Sequence, residues 1–131
     1  MKRSVLLAAV ILLAALSASA EEEKKPELPD VSGTWLVNAD GKKFTLTLKQ
    51  TEGRLEGRMV PKGKQAADGM PVKGSIDDQW LVRFRRHGAN ENYMGYLFRE
   101  CKQKPRHIAG FFGKELECAD HRQAWYAEEQ K

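Results

Sequence analysis

The sequence has few of the residues from which nucleophilic or metal-based catalysis is usually built. Beyond residue 20 the only serines are Ser32 and Ser75, and the whole chain has three histidines and two cysteines. Both serines fall in alternating, strand-like segments, and no histidine or carboxylate is spaced to activate them. The sequence therefore predicts a protein that is not an enzyme and that needs no cofactor.

A large excess of charge of either sign is also missing. The chain carries 22 basic and 18 acidic residues, and Lys2 and Arg3 belong to an N-terminal segment that we expect to be removed. Such a balance does not imply a nucleic-acid partner. On a strand, Arg83 and Arg85 would face solvent and Phe84 the interior, so this basic stretch indicates a solvated outer face.

Only one long hydrophobic run occurs, from Val5 to Leu16, and it is short for a bilayer span. It lies between a basic start and Ala18-Ser19-Ala20, a small-x-small pattern typical of a signal-peptide cleavage site. We therefore expect residues 1–20 to be a signal peptide cleaved after Ala20. The mature protein would be periplasmic or extracellular and free of the membrane; an uncleaved anchor is the alternative.

Helical periodicity is absent as well, and the segments after residue 30 alternate with a period of two. Residues 21–30, which are charged and contain two prolines, are predicted to be an extended lead-in. From there an apolar-x-Gly-x-apolar pattern occurs five times, starting at Val31, Leu55, Val72, Tyr93 and Ile108. A period of two places these apolar residues and the glycine on one strand face, where glycine lets the chain bend or a large neighbour approach.

These alternating segments number eight, and short polar turns such as Asp40-Gly41 join them. We predict an all-β fold for residues 31–131, an eight-stranded antiparallel up-and-down β-barrel. Closing the sheet removes the exposed edges that would otherwise promote aggregation. A barrel of this size holds packed side chains or one small ligand.

Several of these segments resemble the calycin superfamily, which includes lipocalins, avidins and fatty-acid-binding proteins. The residues concerned are Gly33-Thr34-Trp35 near the start of the meander, Gly53-x-Leu55-x-Gly57 after it, and an aromatic final strand. The chain looks most similar to the small exported avidin-like or lipocalin-like domains of bacteria. The resemblance covers residues 31–127 and implies a ligand in the mouth of the barrel.

Only part of an avidin-type binding site is matched. By resemblance, Asn38 would stand for the polar contact after the first strand, and Trp80 and Trp125 would supply aromatic walls. Met59 and Pro61 occupy positions where avidins have Tyr and Ser, so a polar ligand such as biotin would lose hydrogen bonds worth about 1 to 3 kcal/mol each. Biotin is therefore not the expected ligand.

The aromatic side chains on predicted inner faces have two possible roles. They either line a pocket for a small hydrophobic or aromatic molecule or simply fill the barrel, with Trp35 as a plug at the closed end. A cavity lined by Trp80, Tyr93 and Trp125 would favour the pocket. The candidate ligand-binding residues are Asn38, Phe44, Trp80, Tyr93, Phe112 and Trp125.

Cys101 and Cys118 are the only cysteines, and in an exported protein an even count favours a disulfide. Its stabilisation would be about 3 kcal/mol on a chain-entropy basis. The alternative is a Cys2His2 zinc site with His107 and His121. Because oxidised cysteines are not metal ligands, we predict the disulfide and no metal.

Two functions remain in view from the sequence. The first is an exported, non-catalytic binding protein that holds a small hydrophobic or aromatic ligand in the barrel mouth. The alternative is a periplasmic protein-interaction module, such as an inhibitor of a protease or of lysozyme, that uses its loops or residues 21–30 to contact another exported protein. The sequence leaves the identity of the ligand and the oligomeric state open.

Overall fold

Alternating apolar and polar residues form eight strands in the computed structural model, which describes residues 27–98, 105–115 and 122–130. Each strand pairs antiparallel with the next, and the last pairs with the first to close a barrel, which confirms the predicted fold class. A short 3-10 turn, Ala66–Asp68, precedes the fourth strand. The strands are β1 Gly33–Ala39, β2 Lys42–Thr51, β3 Arg54–Pro61, β4 Met70–Ile76, β5 Leu81–Arg86, β6 Glu91–Leu97, β7 His107–Gly113 and β8 Gln123–Gln130.

The turn between β1 and β2 shows why this sequence makes a tight hairpin. Asp40 and Gly41 have φ values of 52° and 79°, the left-handed pair that a two-residue hairpin loop requires. The Asn38 side chain supports the turn, because its Oδ1 accepts a hydrogen bond from Gly41 N at 3.0 Å. The predicted turn is confirmed.

Two strands are longer than their apolar patterns indicate. Glu91 and Asn92 are polar and precede the apolar pattern that starts at Tyr93, yet they belong to β6, because Glu91 pairs directly with Arg86 across the hairpin. β8 continues past Ala127 to Gln130, where polar residues complete the ladder with β1. Backbone hydrogen bonds extend both strands, and side-chain hydrophobicity gives no signal for them.

Glycines on the inner face allow the close approach that the sequence predicts. Gly95 and Gly110 lie opposite each other on β6 and β7. A Cβ on Gly95 would lie 2.9 Å from Cζ2 of Trp125, and one on Gly110 would lie 1.9 Å from the carbonyl oxygen of Met94. Gly95 therefore makes room for the indole, whose Nε1 donates to the carbonyl of Phe111 at 3.0 Å, and Gly110 allows the close approach of the β6 backbone.

One end of the barrel, which we call the closed end, is sealed by Trp35. Its indole is fully buried, and its Nε1 donates to the carbonyl of Val31 at 2.9 Å. The guanidinium of Arg106 lies 5.6 Å from the centre of the indole, with its Nε 2.5 Å from Glu129 Oε2 and its Nη2 2.8 Å from the carbonyl oxygen of Asp30. The expected plug is therefore present, and the described part of the lead-in helps to cover it.

The outer surface of the barrel differs from one side to the other. On β5, Arg83 and Arg85 are exposed and Phe84 is buried, as predicted. On the side formed by β6, β7 and β8, four large hydrophobic side chains are about half exposed: Tyr96, Phe98, Phe111 and Tyr126. Among the residues that the structure describes, no helix is both long and apolar enough to cross a lipid bilayer.

Candidate ligand-binding site at the barrel mouth

The end opposite Trp35, which we call the mouth, contains a cavity of about 630 Å³. It lies where the β1–β2 turn, the end of β3 and the β5–β6 hairpin meet. Its volume is within the range of small-molecule sites in proteins. The lining combines apolar side chains (Ala39, Phe44, Pro61, Tyr93, Phe112) with polar and charged ones (Asp40, Lys42, Lys43, Lys62, Arg86, Glu91, Gln123).

Stacked aromatic rings form the floor of the mouth. The ring of Tyr93 lies between Phe84, with centroids 4.7 Å apart, and Phe112, with centroids 5.0 Å apart, and both pairs are nearly parallel. The three residues are direct cross-strand neighbours on β5, β6 and β7, so register alone aligns them. Below them Trp125 makes edge contacts with Phe84 and Tyr93, each at 5.5 Å. The barrel interior is therefore filled with side chains beneath the aromatic rings, and the cavity lies above these rings.

Arg86, Glu91 and Tyr93 form a polar cluster above this floor. Glu91 Oε2 accepts a hydrogen bond from the Tyr93 hydroxyl at 2.8 Å and lies 3.2 Å from Arg86 Nη1. Burial, and after it the hydrogen bond and charge of Glu91, raise the pKa of Tyr93 far above its usual value. The phenol is thus held in its protonated form, in which it can donate to Glu91.

Arg86 is incompletely paired. Its side chain is 10% exposed, and its guanidinium lies 4.7 Å from the centre of the Phe44 ring. Its Nε is buried and finds no acceptor among the residues that the structure describes. A buried donor left unpaired costs about 1 to 3 kcal/mol, so an arginine in this state is unusual for a purely structural position.

Three of the six candidate residues meet at the mouth, namely Phe44, Tyr93 and Phe112. Trp125 lies beneath them, where it is 2% exposed and part of the packed core. Some of the aromatic residues therefore fill the barrel, and others form the floor of a cavity.

The structure places the other two candidates elsewhere, which corrects the expectation that they line the mouth. Trp80 precedes β5 in the β4–β5 connection, at the closed end, where its carbonyl accepts from Leu97 N at 3.0 Å. The residue has a φ of 64° and packs against the core. Asn38 lies on β1 between two buried residues, so alternation turns it to the outer face.

Sequence reasoning missed Arg86 and Glu91. Arg86 directly follows the basic stretch that indicates a solvated outer face, and Glu91 lies among polar residues that show no alternating pattern. A signal was nevertheless present, because Arg86 has the same parity as the buried Val82 and Phe84. The alternation along β5 therefore predicts that the side chain of Arg86 points into the barrel.

The predicted disulfide and the alternative zinc site cannot be placed here. Cys101, Cys118 and His121 lie outside the described residues, and His107 is the only member of the set within them. Its Nε2 lies 3.9 Å from Glu128 Oε2 on the neighbouring strand. Within the described ranges no group of three or more His, Cys, Asp or Glu side chains is arranged to hold a metal ion.

Comparison of the chain with family models, with curated proteins and with solved structures finds no match. Its function therefore has to be inferred from the chemistry of the mouth.

Proposed function

We propose that this chain is an exported, non-catalytic binding protein of calycin-like type that holds a small molecule with an aromatic or hydrophobic body in the mouth of its barrel. The observation that carries the proposal is the cavity of about 630 Å³ above the stacked rings of Tyr93 and Phe112. Binding sites of this kind combine an apolar surface with a few placed polar groups, and the mouth has both. Export rests on the signal-peptide pattern of residues 1–20.

The aromatic floor favours a ligand that is flat or compact. A ring laid on Tyr93 or Phe112 would extend a stack that already runs from Phe84. The packed layer of Trp125 and Phe84 blocks the way further down the barrel axis. A ligand would therefore lie across the mouth and not descend into the tube.

A test uses N-phenyl-1-naphthylamine, a neutral aromatic probe whose fluorescence rises in apolar sites. Two matched variants place the same side chain on opposite faces of β8. Gln123 lines the mouth, whereas Ala124 faces outward and lines a separate outer groove. Gln123→Phe should weaken probe binding by about tenfold or more by filling the cavity, and Ala124→Phe should leave it unchanged.

The outcomes separate the sites. If Gln123→Phe and Ala124→Phe bind the probe equally well, the mouth is not the place where it binds, and the proposal is overturned. Thermal unfolding of both variants provides the check that the barrel is intact.

The second candidate is a protein-interaction module, as in a periplasmic inhibitor of a protease or lysozyme. The observation in its favour is the set of half-exposed side chains on one side of the barrel, of which Phe111 and Tyr126 flank an outer groove of about 670 Å³. Exposed hydrophobic surface of this kind is common at protein interaction sites. The contact surface would then include this side of the barrel. In the described part of the lead-in, the carbonyl of Asp30 accepts a hydrogen bond from Arg106 at the closed end.

This candidate has its own test. Inhibition of lysozyme or of secreted proteases by the wild-type protein should disappear in Tyr126→Ser and persist in Gln123→Phe. Lack of inhibition by the wild-type protein, or inhibition that survives Tyr126→Ser, counts against an inhibitor acting through this side.

A further inference from the structure

Two arginines, one at each end of the barrel, lie over an aromatic ring and face a glutamate. At the closed end Arg106 covers Trp35, and its Nε and Nη2 both have acceptors, Glu129 Oε2 and the carbonyl of Asp30. At the mouth Arg86 covers Phe44, its contact with Glu91 is longer at 3.2 Å, and its buried Nε has no acceptor in the described part of the chain. Among the described residues, Arg106 therefore has acceptors for two of its nitrogens, whereas Arg86 has a buried nitrogen that lacks one.

The charge around the mouth favours an anionic ligand, which would supply the missing acceptor. Four lining residues are cationic (Lys42, Lys43, Lys62, Arg86) and two are acidic (Asp40, Glu91). One acid is already engaged, because Gln123 Nε2 donates to Asp40 Oδ2 at 2.9 Å. The positive excess attracts an anion towards the one arginine that lies within the mouth.

We infer that the ligand of the mouth is a compact organic acid whose carboxylate pairs with Arg86 while its aromatic or short apolar body lies on Phe44, Tyr93 and Phe112. This inference rests on the proposed function, because it names the chemical class of the ligand for the same cavity. A planar carboxylate matches the donor geometry of a guanidinium and forms charge-assisted hydrogen bonds with it.

The neighbours of Arg86 allow this exchange of partner. Glu91 keeps the hydrogen bond from the Tyr93 hydroxyl when Arg86 turns towards a ligand, and its side chain is 27% exposed, so water can solvate it. Nε is covered in this structure, so the guanidinium has to rotate on binding before Nε can donate. Packing beneath the floor limits the body of the acid to what the mouth can hold.

The experiment compares two probes of nearly the same shape, 1-naphthoic acid and 1-naphthamide, by isothermal titration calorimetry at pH 7. The wild-type protein should bind the acid about tenfold more tightly than the amide, as expected for one charge-assisted hydrogen bond. Raising the salt concentration should reduce this preference, because the rim charges are exposed to solvent.

Two variants with the same loss of charge separate Arg86 from the general field of the protein. Arg86→Met should abolish the preference for the acid, so that the acid and the amide bind with equal affinity. Arg85→Met, on the outer face of the same strand, should keep the preference. Glu91→Gln removes the competing carboxylate and should strengthen binding of the acid severalfold, which gives a second readout if Arg86→Met does not fold.

The possible results are distinct. Equal affinity of the wild-type protein for acid and amide overturns the assignment of an acidic ligand and leaves the proposed function standing. A preference that survives Arg86→Met, or disappears in Arg85→Met, also overturns the role of Arg86. Binding of neither naphthalene probe nor of N-phenyl-1-naphthylamine overturns the proposed function itself.

Discussion

The two ends of the barrel are built from the same three kinds of side chain and differ in how completely these are paired. At the closed end an arginine, an indole and a glutamate form a layer in which Arg106 has acceptors at 2.5 and 2.8 Å. At the mouth Arg86 has one acceptor at 3.2 Å and, within the described ranges, a buried donor without one. This difference in pairing distinguishes the closed end from the end that we propose binds a ligand.

The largest expected effect lies at the closed end. Trp35→Ala removes a fully buried indole together with its hydrogen bond to Val31, and should lower the free energy of unfolding by about 3 to 5 kcal/mol. Urea denaturation followed by far-UV circular dichroism measures the loss. A change below about 1 kcal/mol would show that the indole does not seal the barrel.

Removing the two arginines tests the comparison directly. Arg106→Met takes a cation away from Glu129, whose side chain is only 10% exposed, and should cost about 2 to 3 kcal/mol. Arg86→Met removes a buried donor that has no acceptor among the described residues, and Glu91 keeps its solvent access and the hydrogen bond from the Tyr93 hydroxyl. This substitution should therefore lower the free energy of unfolding by less than about 1 kcal/mol. Equal losses in urea denaturation would mean that the two ends are not differently paired.

High pH should lower the stability of the protein through Tyr93 at the mouth. The pKa of Tyr93 is raised by burial and by Glu91, so the folded state releases this proton later than the unfolded state does. The stabilisation is complete below the unfolded pKa of about 10 and is lost as the pH rises towards the folded value. The urea midpoint should therefore fall as the pH rises above about 10, less steeply in Tyr93→Phe. Tyr126→Phe, which alters a half-exposed outer ring, should keep the wild-type slope.

Low pH should lower the stability of the protein through Asp30 at the closed end, and this is the smallest of the four predicted effects. Hydrogen bonds from the backbone and then from the hydroxyl of Ser32 lower the pKa of Asp30 below 3.8. The stabilisation is present above that value and disappears as the pH falls through the lowered folded pKa. Asp30→Asn should flatten the fall of the urea midpoint as the pH drops below about 4. An unchanged acid limb would mean that the Ser32 hydrogen bonds do not form in solution.

Alternation of polar and apolar residues predicted the fold and much of its detail. The recurring glycines predicted close approach inside the barrel, and Gly95 under Trp125 shows it. The Asp40-Gly41 turn and the outward direction of Arg83 and Arg85 are also as predicted. Such features depend on neighbours in sequence, which is why the sequence is sufficient for them.

Predictions failed where position along the barrel axis mattered. Trp80 and Tyr93 both belong to inward-facing patterns, yet one lies at the closed end and the other at the mouth. A period of two identifies the face of a side chain and carries no information on its height in the barrel. Arg86 and Glu91 were missed for a related reason, since only their direct pairing across the β5–β6 hairpin brings their charges together.

The sequence by itself determined that the chain forms strands and which side chains point inward, Trp35 among them. Tertiary structure alone decided which inward side chains share one end, because their height depends on strand register around a closed barrel. It also decided that Arg106 has acceptors for Nε and Nη2, whereas the buried Nε of Arg86 has none among the described residues. The distinction between the closed end and the proposed binding site therefore arises from cross-strand register, which no local pattern contains.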